Sequence, residues 1–423
     1  MKLVPIGRPL LLGVLACLPL SGLAAETLTL PAAVERVLGK HPQLVASATA
    51  LDASEIEARE AARPFNPELS LAVENVLGSG TYTGTDAMET TLAISQTLGM
   101  AQRRARSQAA DANTAVARSE LSILRLDLSA RTARAFVDVV AAQERLALAE
   151  KTAALAHTTR ETLDARAAAA RATLAERNRA RMAGEQAALA ITARQRELEA
   201  TRTALSTLWG SLDPDFSRAD ANIYLLPDIV DVVTLRSRLS TSPLIEASQG
   251  EQRLYDAEVR VAKAEARQPL TLSAGIRDFA GTGDNAFVLG ASMPLALFER
   301  NRSGVARAEA NRAMAQAKLE ANRLDLERRV LKLHGDLVQT GTEFATLRER
   351  LLPLAQEALE QTRYGFDRGR FSYLELATAQ HDLIDTELAA VEAAARYHSL
   401  LAELEALTGI ALAQPASTVG ENP

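Results

Sequence analysis

The chain is written twice. A shift of 201 residues carries Leu38, Pro42, Ala46 and Ser47 onto Leu239, Pro243, Ala247 and Ser248, and Leu69 and Leu71 onto Leu270 and Leu272. Further along, a shift of 199 residues carries Arg171, Glu176 and Gly210 onto Arg370, Glu375 and Gly409. A tandem duplication accounts for this succession. Each copy holds two short strand-like runs and then a helical run far longer than an ordinary globular domain uses. That pairing restricts what the chain can fold into.

From Ala101 to Trp209 there is no proline and one glycine, Gly184, among alanine, leucine, arginine and glutamate, a strongly helix-forming composition. In the second copy Leu319, Leu326 and Leu333, and in parallel Leu324, Leu331 and Val338, recur at the seven-residue spacing of coiled coils. Pro353, with Gly335 and Gly341, predicts a bend in the second long helix that the first lacks. Gly369 suits the left-handed turn that ends a helix and Ser372 suits the cap of the next; the first-copy equivalents are Ala170 and Thr173.

Long helices are therefore expected over 101–168 and 302–369, 68 residues each, or about 100 Å at 1.5 Å per residue. The chain must return over that distance. Return helices over 174–209 and 372–409 cover half of it, and half-helices between Pro31 and Arg63 and from Ile229 to Pro269 supply the rest. The implied organisation is a signal peptide over 1–25, a first repeat over 26–210, a linker over 211–228 marked by Pro214, Pro227 and several aspartates, a second repeat over 229–410 and a flexible tail over 411–423.

Strands are expected near 69–77, 88–97, 270–278 and 287–294. They alternate. Leu69, Leu71 and Val73 oppose Ser70, Ala72 and Glu74; Leu92 and Ile94 oppose Thr91, Ala93 and Ser95. Leu270, Leu272, Ala274 and Ile276 oppose Thr271, Ser273, Gly275 and Arg277, and Leu289, Ala291 and Met293 oppose Val288, Gly290 and Ser292. Apolar-out and polar-in alternation is the pattern of an outer-membrane barrel, whose spanning strands need roughly 9 to 11 residues. The candidate lipid-facing positions are Leu69, Leu71, Val73, Leu92, Ile94, Leu270, Leu272, Ile276 and Leu289. Gly78, Gly80, Gly84 and Asp86 form one expected hairpin tip, and Gly281, Gly283, Asp284 and Asn285 the other. A soluble sheet with one buried face shares this pattern, but four strands cannot close and an exposed edge is a liability. Three copies give twelve strands and closure. The expected fold is mainly α with a small β part.

Lys2 and Arg8 precede an apolar stretch from Pro9 to Leu20, and small residues follow at Gly22, Ala24 and Ala25, as in a secretory signal. Val14, Leu15 and Ala16 before Cys17 leave a lipoprotein signal as the alternative. Cys17 is the only cysteine, so cleavage after Ala24 removes any thiolate or disulfide chemistry. The formal charge moves from −6 to −8 without Lys2 and Arg8, which argues against a nucleic-acid partner. No apolar run of transmembrane-helix length follows residue 25.

Catalytic chemistry has no visible carrier. His41, His157, His334, His381 and His398 are scattered without i, i+3 or i, i+4 pairing, so no metal site is expected. No Ser-His-Asp set, P-loop or GxGxxG run exists, and no cofactor is implied. Glu375, Asp382 and Asp385, like the arginines between Arg103 and Arg181, read as solvated helix faces. The chain is not expected to be an enzyme.

Together these pieces resemble the TolC-like outer-membrane channels of tripartite efflux pumps. The residues that carry the likeness run from Asn66 through Glu68, Leu69, Ser70, Leu71 and Ala72 to Asn75, from Thr91 to Leu98, from Pro294 through Phe298 and Asn301 to Arg302, and from Phe366 through Gly369 and Ser372 to Leu376. The first segment, followed by Gly78, Ser79 and Gly80, is most similar to the heavy-metal branch that includes cobalt-zinc-cadmium resistance channels. The resemblance implies a homotrimer, a 12-stranded barrel in outer-membrane lipid, a 12-helix periplasmic tunnel, a periplasmic adaptor protein and an inner-membrane, proton-driven pump of the RND type. It implies passive export, with heavy-metal cations as cargo.

Two residues depart from the family pattern. A tyrosine that often helps hold the tunnel shut is Phe366 here, and Ala170 stands where a tip glycine is common. Asp164, Arg166, Arg171, Asp367, Arg368 and Arg370, with Gly369, offer a charged substitute at the tips. A drug-efflux or type I secretion duct would share the fold. A periplasmic adaptor would instead need a glycine-rich β-domain between its helices, and neither helical run is interrupted by one.

Overall fold

The computed structural model describes residues 26–409. The expected signal peptide with Cys17, and the tail over 411–423, lie outside the described residues. The elements in chain order are β1 (Glu26–Leu28), α1 (Leu30–Lys40), α2 (Pro42–Ala61), β2 (Glu68–Glu74), β3 (Glu89–Leu98), α3 (Met100–Ala168), α4 (Leu174–Thr207), β4 (Phe216–Ala219), α5 (Val232–Arg238), α6 (Pro243–Glu265), β5 (Leu270–Phe279), β6 (Asp284–Ser292), α7 (Arg302–Thr346), α8 (Leu352–Asp367) and α9 (Tyr373–Thr408).

The duplication is legible in the backbone. Pro42 and Pro243 each begin a half-helix, at the position where a missing N–H costs nothing. Thr173 caps α4 and Ser372 caps α9 in matching capping boxes with Glu176 and Glu375. Hydrogen bonds from the capping residues' backbone N–H hold both carboxyls below the usual carboxylate range.

β2, β3, β5 and β6 form one antiparallel sheet in that order. The first strand stops at Glu74 because Asn75 and Leu77 adopt left-handed backbone. The fourth strand is displaced from the expected 287–294 to Asp284–Ser292. Asp284 and Asn285 pair with Phe279 and Asp278, so they belong to the ladder and not to the hairpin tip. Pro294, with no N–H to donate, lies beyond the strand.

Packing runs in two rows of four. Nearer the sheet, α2 lies on α3, α3 on α6 and α6 on α7; towards the helical tips, α4 lies on α3, α3 on α9 and α9 on α8. α3, 69 residues long, is common to both rows. At its middle Phe136, Val137, Val139, Val140, Ala141 and Ala142 are buried almost without a break, so the helix is surrounded there on every side. Arg145 adds a polar tie across three helices: it donates twice to the Glu392 carboxylate on α9, at 2.8 and 3.0 Å, and once to Glu197 on α4 at 2.9 Å.

Three expectations are corrected. The 211–228 segment is more than a linker: β4 pairs in parallel with β1, and the Gln143 side chain exchanges two hydrogen bonds with the Ala219 backbone at 2.8 and 2.9 Å. Phe216, Trp209 and Ile223 close the core around the middle of α3. Each expected half-helix is split, the first at His41 and the second at residues 239–242, where Pro42 and Pro243 disfavour helical backbone at the preceding residue. Finally, the second long helix is not continuous over 302–369. It contains one π turn, Leu347–Leu351, directly before Pro353, whose ring and missing N–H prevent regular helix pairing. Gly335 and Gly341 do not break it; Gly341 instead makes room for the Tyr397 ring, which a Cβ would meet at 3.3 Å.

Gly275 has no such latitude. A Cβ there would lie 2.6 Å from the Leu92 carbonyl oxygen and 2.7 Å from the Ala93 Cβ. Gly275→Val should abolish the assembled, heat-modifiable band in outer-membrane fractions. Gly39→Ala, in α1 with open space around the site, should instead leave the band intact and add about 0.5–1 kcal/mol of helix stability, read as a higher melting temperature.

Candidate functional site

Two regions carry the functional residues: the sheet at one end of the molecule and the helical turns at the other. In the sheet, register brings the apolar residues of all four strands onto one face. Leu71, Leu92, Ile276 and Phe287 form one row, and Leu69, Ile94, Ala274 and Leu289 form the next. Leu69, Leu71, Val73, Leu92, Ile94, Leu270, Leu272, Ile276 and Leu289 are all exposed in the protomer, Leu289 to 83%. Phe287, exposed to 88%, is the residue that sequence reasoning missed. Extending the alternation two residues back from Leu289 would have found it.

The other face is polar and small. Arg277 is its centre, donating to the Thr91 hydroxyl at 2.9 Å and to Glu89 at 2.8 Å, and pairing with Glu74 at 3.0 Å. The charge is thus held by three strands, as a water-lined surface permits and a lipid-facing one would not.

At the other end, each long helical stretch ends in the same two-bond turn. Arg171 N–H reaches the Arg166 carbonyl and Ala170 N–H the Ala167 carbonyl; Arg370 N–H reaches Gly365 and Gly369 N–H reaches Phe366. This is the Schellman arrangement, and its left-handed residue is Ala170 (φ 56°) in one copy and Gly369 (φ 73°) in the other.

The turns are joined by Arg166. Its guanidinium donates to the Phe366 carbonyl at 2.9 Å, lies 3.6 Å from Asp367 and stacks 4.0 Å over the Phe366 ring. Phe366 is buried, 3% exposed, among Leu163, Ala180, Tyr373 and Leu376, so it is part of the protomer's own packing. Asp164 is held by Arg160, Arg177 and Arg181 at 3.5–3.8 Å, and Arg368 stacks on Tyr364 at 3.9 Å. Neither Asp164 nor Asp367 pairs with Arg171 or Arg370. Among the described residues, those two arginines are exposed and make no ion pair within the protomer.

Among the described residues there is no group of three His, Cys, Asp or Glu side chains placed to hold a metal, and no helix is long and apolar enough to cross a membrane.

A one-sided four-stranded sheet set on helices of about 100 Å, ending in paired turns, defines a channel-type protomer, and the comparisons agree. The outer membrane efflux protein family model matches residues 234–410, nearly the whole second repeat. The cobalt-zinc-cadmium resistance protein CzcC of Cupriavidus metallidurans is 31% identical over 365 residues, covering 86% of each chain. The nickel-cobalt-cadmium resistance protein NccC of Alcaligenes xylosoxydans xylosoxydans is 26% identical over 310 residues, covering 71% of this chain and 68% of its own. Among solved structures, a membrane protein from Pseudomonas aeruginosa shares the fold with a TM-score of 0.77 at 21% identity, over 92% of both chains. The outer membrane protein VceC from Vibrio cholerae does so with a TM-score of 0.72 at 20% identity, over 90% of this chain and 96% of its own. The chain belongs to the outer membrane efflux protein family. It is an efflux channel of the outer membrane that extends into the periplasm, and it is not an enzyme.

An alanine held left-handed is strained by roughly 1–2 kcal/mol. Ala170→Gly should therefore stabilise the first turn by about 1 kcal/mol, seen as slower amide hydrogen exchange at 169–173 with exchange at 368–372 unchanged.

Proposed function

We propose that three copies of this chain close into a passive duct that carries heavy-metal cations outward, coupled through a periplasmic adaptor to a proton-driven pump in the inner membrane. The observation that carries the ring is the placement of the unpartnered flanks. Among the described residues, β2, α2 and α4 have no neighbour on one side of the protomer, and β6, α7 and α8 have none on the other. The flank helices expose large apolar side chains, Val45, Ile56, Met182 and Leu189 on one flank and Leu324, Leu331, Val338 and Leu354 on the other. A head-to-tail contact between unlike flanks closes by rotation. Four strands and four helices per level then give twelve of each with three copies, and the antiparallel alternation continues from β6 to the next β2.

In that ring the apolar sheet face meets lipid and the Arg277 face lines water. Leu71→Arg should reduce insertion, since a charge at mid-bilayer on the lipid side costs about 2–4 kcal/mol. Ser70→Arg, on the opposite face, should insert normally. Outer-membrane fractionation checks both.

The turns are assigned to the narrow end and to adaptor contact. Asp164, Arg166, Phe366 and Asp367 brace them within each protomer, while Arg171 and Arg370 remain available, six cations around one axis in the trimer. Ala170, Arg368 and Gly369 shape the turns that present them. Charge reversal of both arginines should admit vancomycin or uncouple efflux while trimer amounts stay at wild-type levels. Unchanged antibiotic entry and unchanged metal tolerance would place the narrow end elsewhere.

The heavy-metal assignment is supported by the relatives' names and by the extent of the match to the cobalt-zinc-cadmium resistance protein. Deleting the gene should lower tolerance to cobalt, zinc or cadmium at least several-fold, restored by the wild-type chain. Loss of drug tolerance with metal tolerance intact would assign the duct to a drug pump.

A further inference from the structure

Residues 293–301 join β6 to α7, and the first copy has no counterpart, since β3 passes to α3 through Gly99 alone. That short junction is tightly packed. The Phe65 ring lies so close to Gly99 that a Cβ would fall 2.4 Å from it, the Arg106 guanidinium stacks over the same ring at 4.5 Å, and Gln96 donates to the Phe65 carbonyl at 2.8 Å. Among the described residues, the hydrogen bonds that tie the second-copy junction to another element lie at its base, while Arg300 donates back to the Ala296 carbonyl within it at 3.0 Å. Asn301, in left-handed backbone, donates to the Ala262 carbonyl on α6 at 3.0 Å, and Gly304 leaves the space its side chain needs. Before that anchor, Met293, Leu295, Leu297 and Phe298 are all exposed, Phe298 completely.

The duplication makes this asymmetry informative. β3 and α3 lie inside the protomer, so their junction packs on its own chain. β6 and α7 lie on an unpartnered flank, and only there has the junction become long and apolar. The opposite flank at the same level is the 62–67 linker between α2 and β2, with Pro64, Asn66 and Pro67 exposed beside the Phe65 ring. We infer that residues 293–300 are an intersubunit strap, with Leu295, Leu297 and Phe298 laid on the 64–67 linker of a second copy where the barrel gives way to the helices.

The inference rests on the ring reading above and adds the residues that lock it. A second copy is favoured over lipid by covalent continuity. The β6 edge that runs directly into the strap must be paired by another backbone inside the membrane, and the β2 strand available to pair it continues directly into the 64–67 linker.

The test uses p-benzoyl-phenylalanine, an aromatic of similar shape, in place of Phe298 in the full-length chain, with irradiation in intact outer membranes. Adducts are mapped by mass spectrometry, and native mass spectrometry of the detergent-extracted protein counts the copies. The expected result is covalent dimers and trimers with the adduct inside residues 62–69 of another copy. In an intact trimer, an adduct only to phospholipid or lipopolysaccharide, an adduct only within the same chain, or no adduct overturns the strap and leaves the ring standing. Absence of a trimer overturns the ring, and the strap with it.

Discussion

The two free edges of the sheet are the constraint on which the rest of the molecule depends. Along β2 and β6 the outward-directed backbone N–H and C=O groups have no strand partner among the described residues. In water such an edge invites aggregation, and in a bilayer each unsatisfied group costs several kcal/mol. The sheet also lacks a core of its own: its apolar rows are exposed, and among the described residues no helix covers them. In the proposed ring its stability as a folded element comes from lipid on one face and from other copies at both edges, which would couple insertion to assembly.

The helices supply what the sheet lacks. Burial is concentrated around the middle of α3, where Phe136, Val139 and Val140 meet α1, α4, α9 and the β1–β4 pair. Arg145 bonds two carboxylates on different helices at the same level. This waist is a genuine protomer core, anchored by long-range contacts between the two copies of the repeat. Above and below it the helices pack in single rows of four whose outermost members have one side free.

Much of this was legible in the chain because it is periodic. Alternation marked the four strands to within a few residues, and the absence of proline, with a single glycine, from Ala101 to Trp209 marked α3 and α4. What escaped lacked a period. β4 spans only Phe216–Ala219, and its pairing with β1 joins residues about 190 apart in the chain, which no local pattern reports. At the tips the turns were readable from Gly369, Ser372 and their equivalents, because capping chemistry is local. The partners were not. Arg166 reaches across 200 positions to Phe366, a contact that no local pattern reports.

The two copies have diverged where their surroundings differ. The first long helix is continuous and lies between neighbours in both rows, a position that leaves little room for a change of direction. The second occupies the free flank, and there the chain carries a π turn before Pro353. Near that turn Arg348 stacks over Tyr224 at 4.6 Å, and Tyr224 donates to Glu144 on α3 at 3.0 Å, so the irregular turn is pinned to the waist. The tip residues follow the same logic in reverse. Gly369 ends the flank helix without strain, whereas the inner helix tolerates Ala170 in the same conformation because Arg166, at the end of α3, is fastened to Phe366 across the gap between copies. A duplicated gene product begins with two equivalent halves, but within this protomer they take unequal positions, one enclosed between neighbours and one on a free flank. The differences between the halves record that inequality.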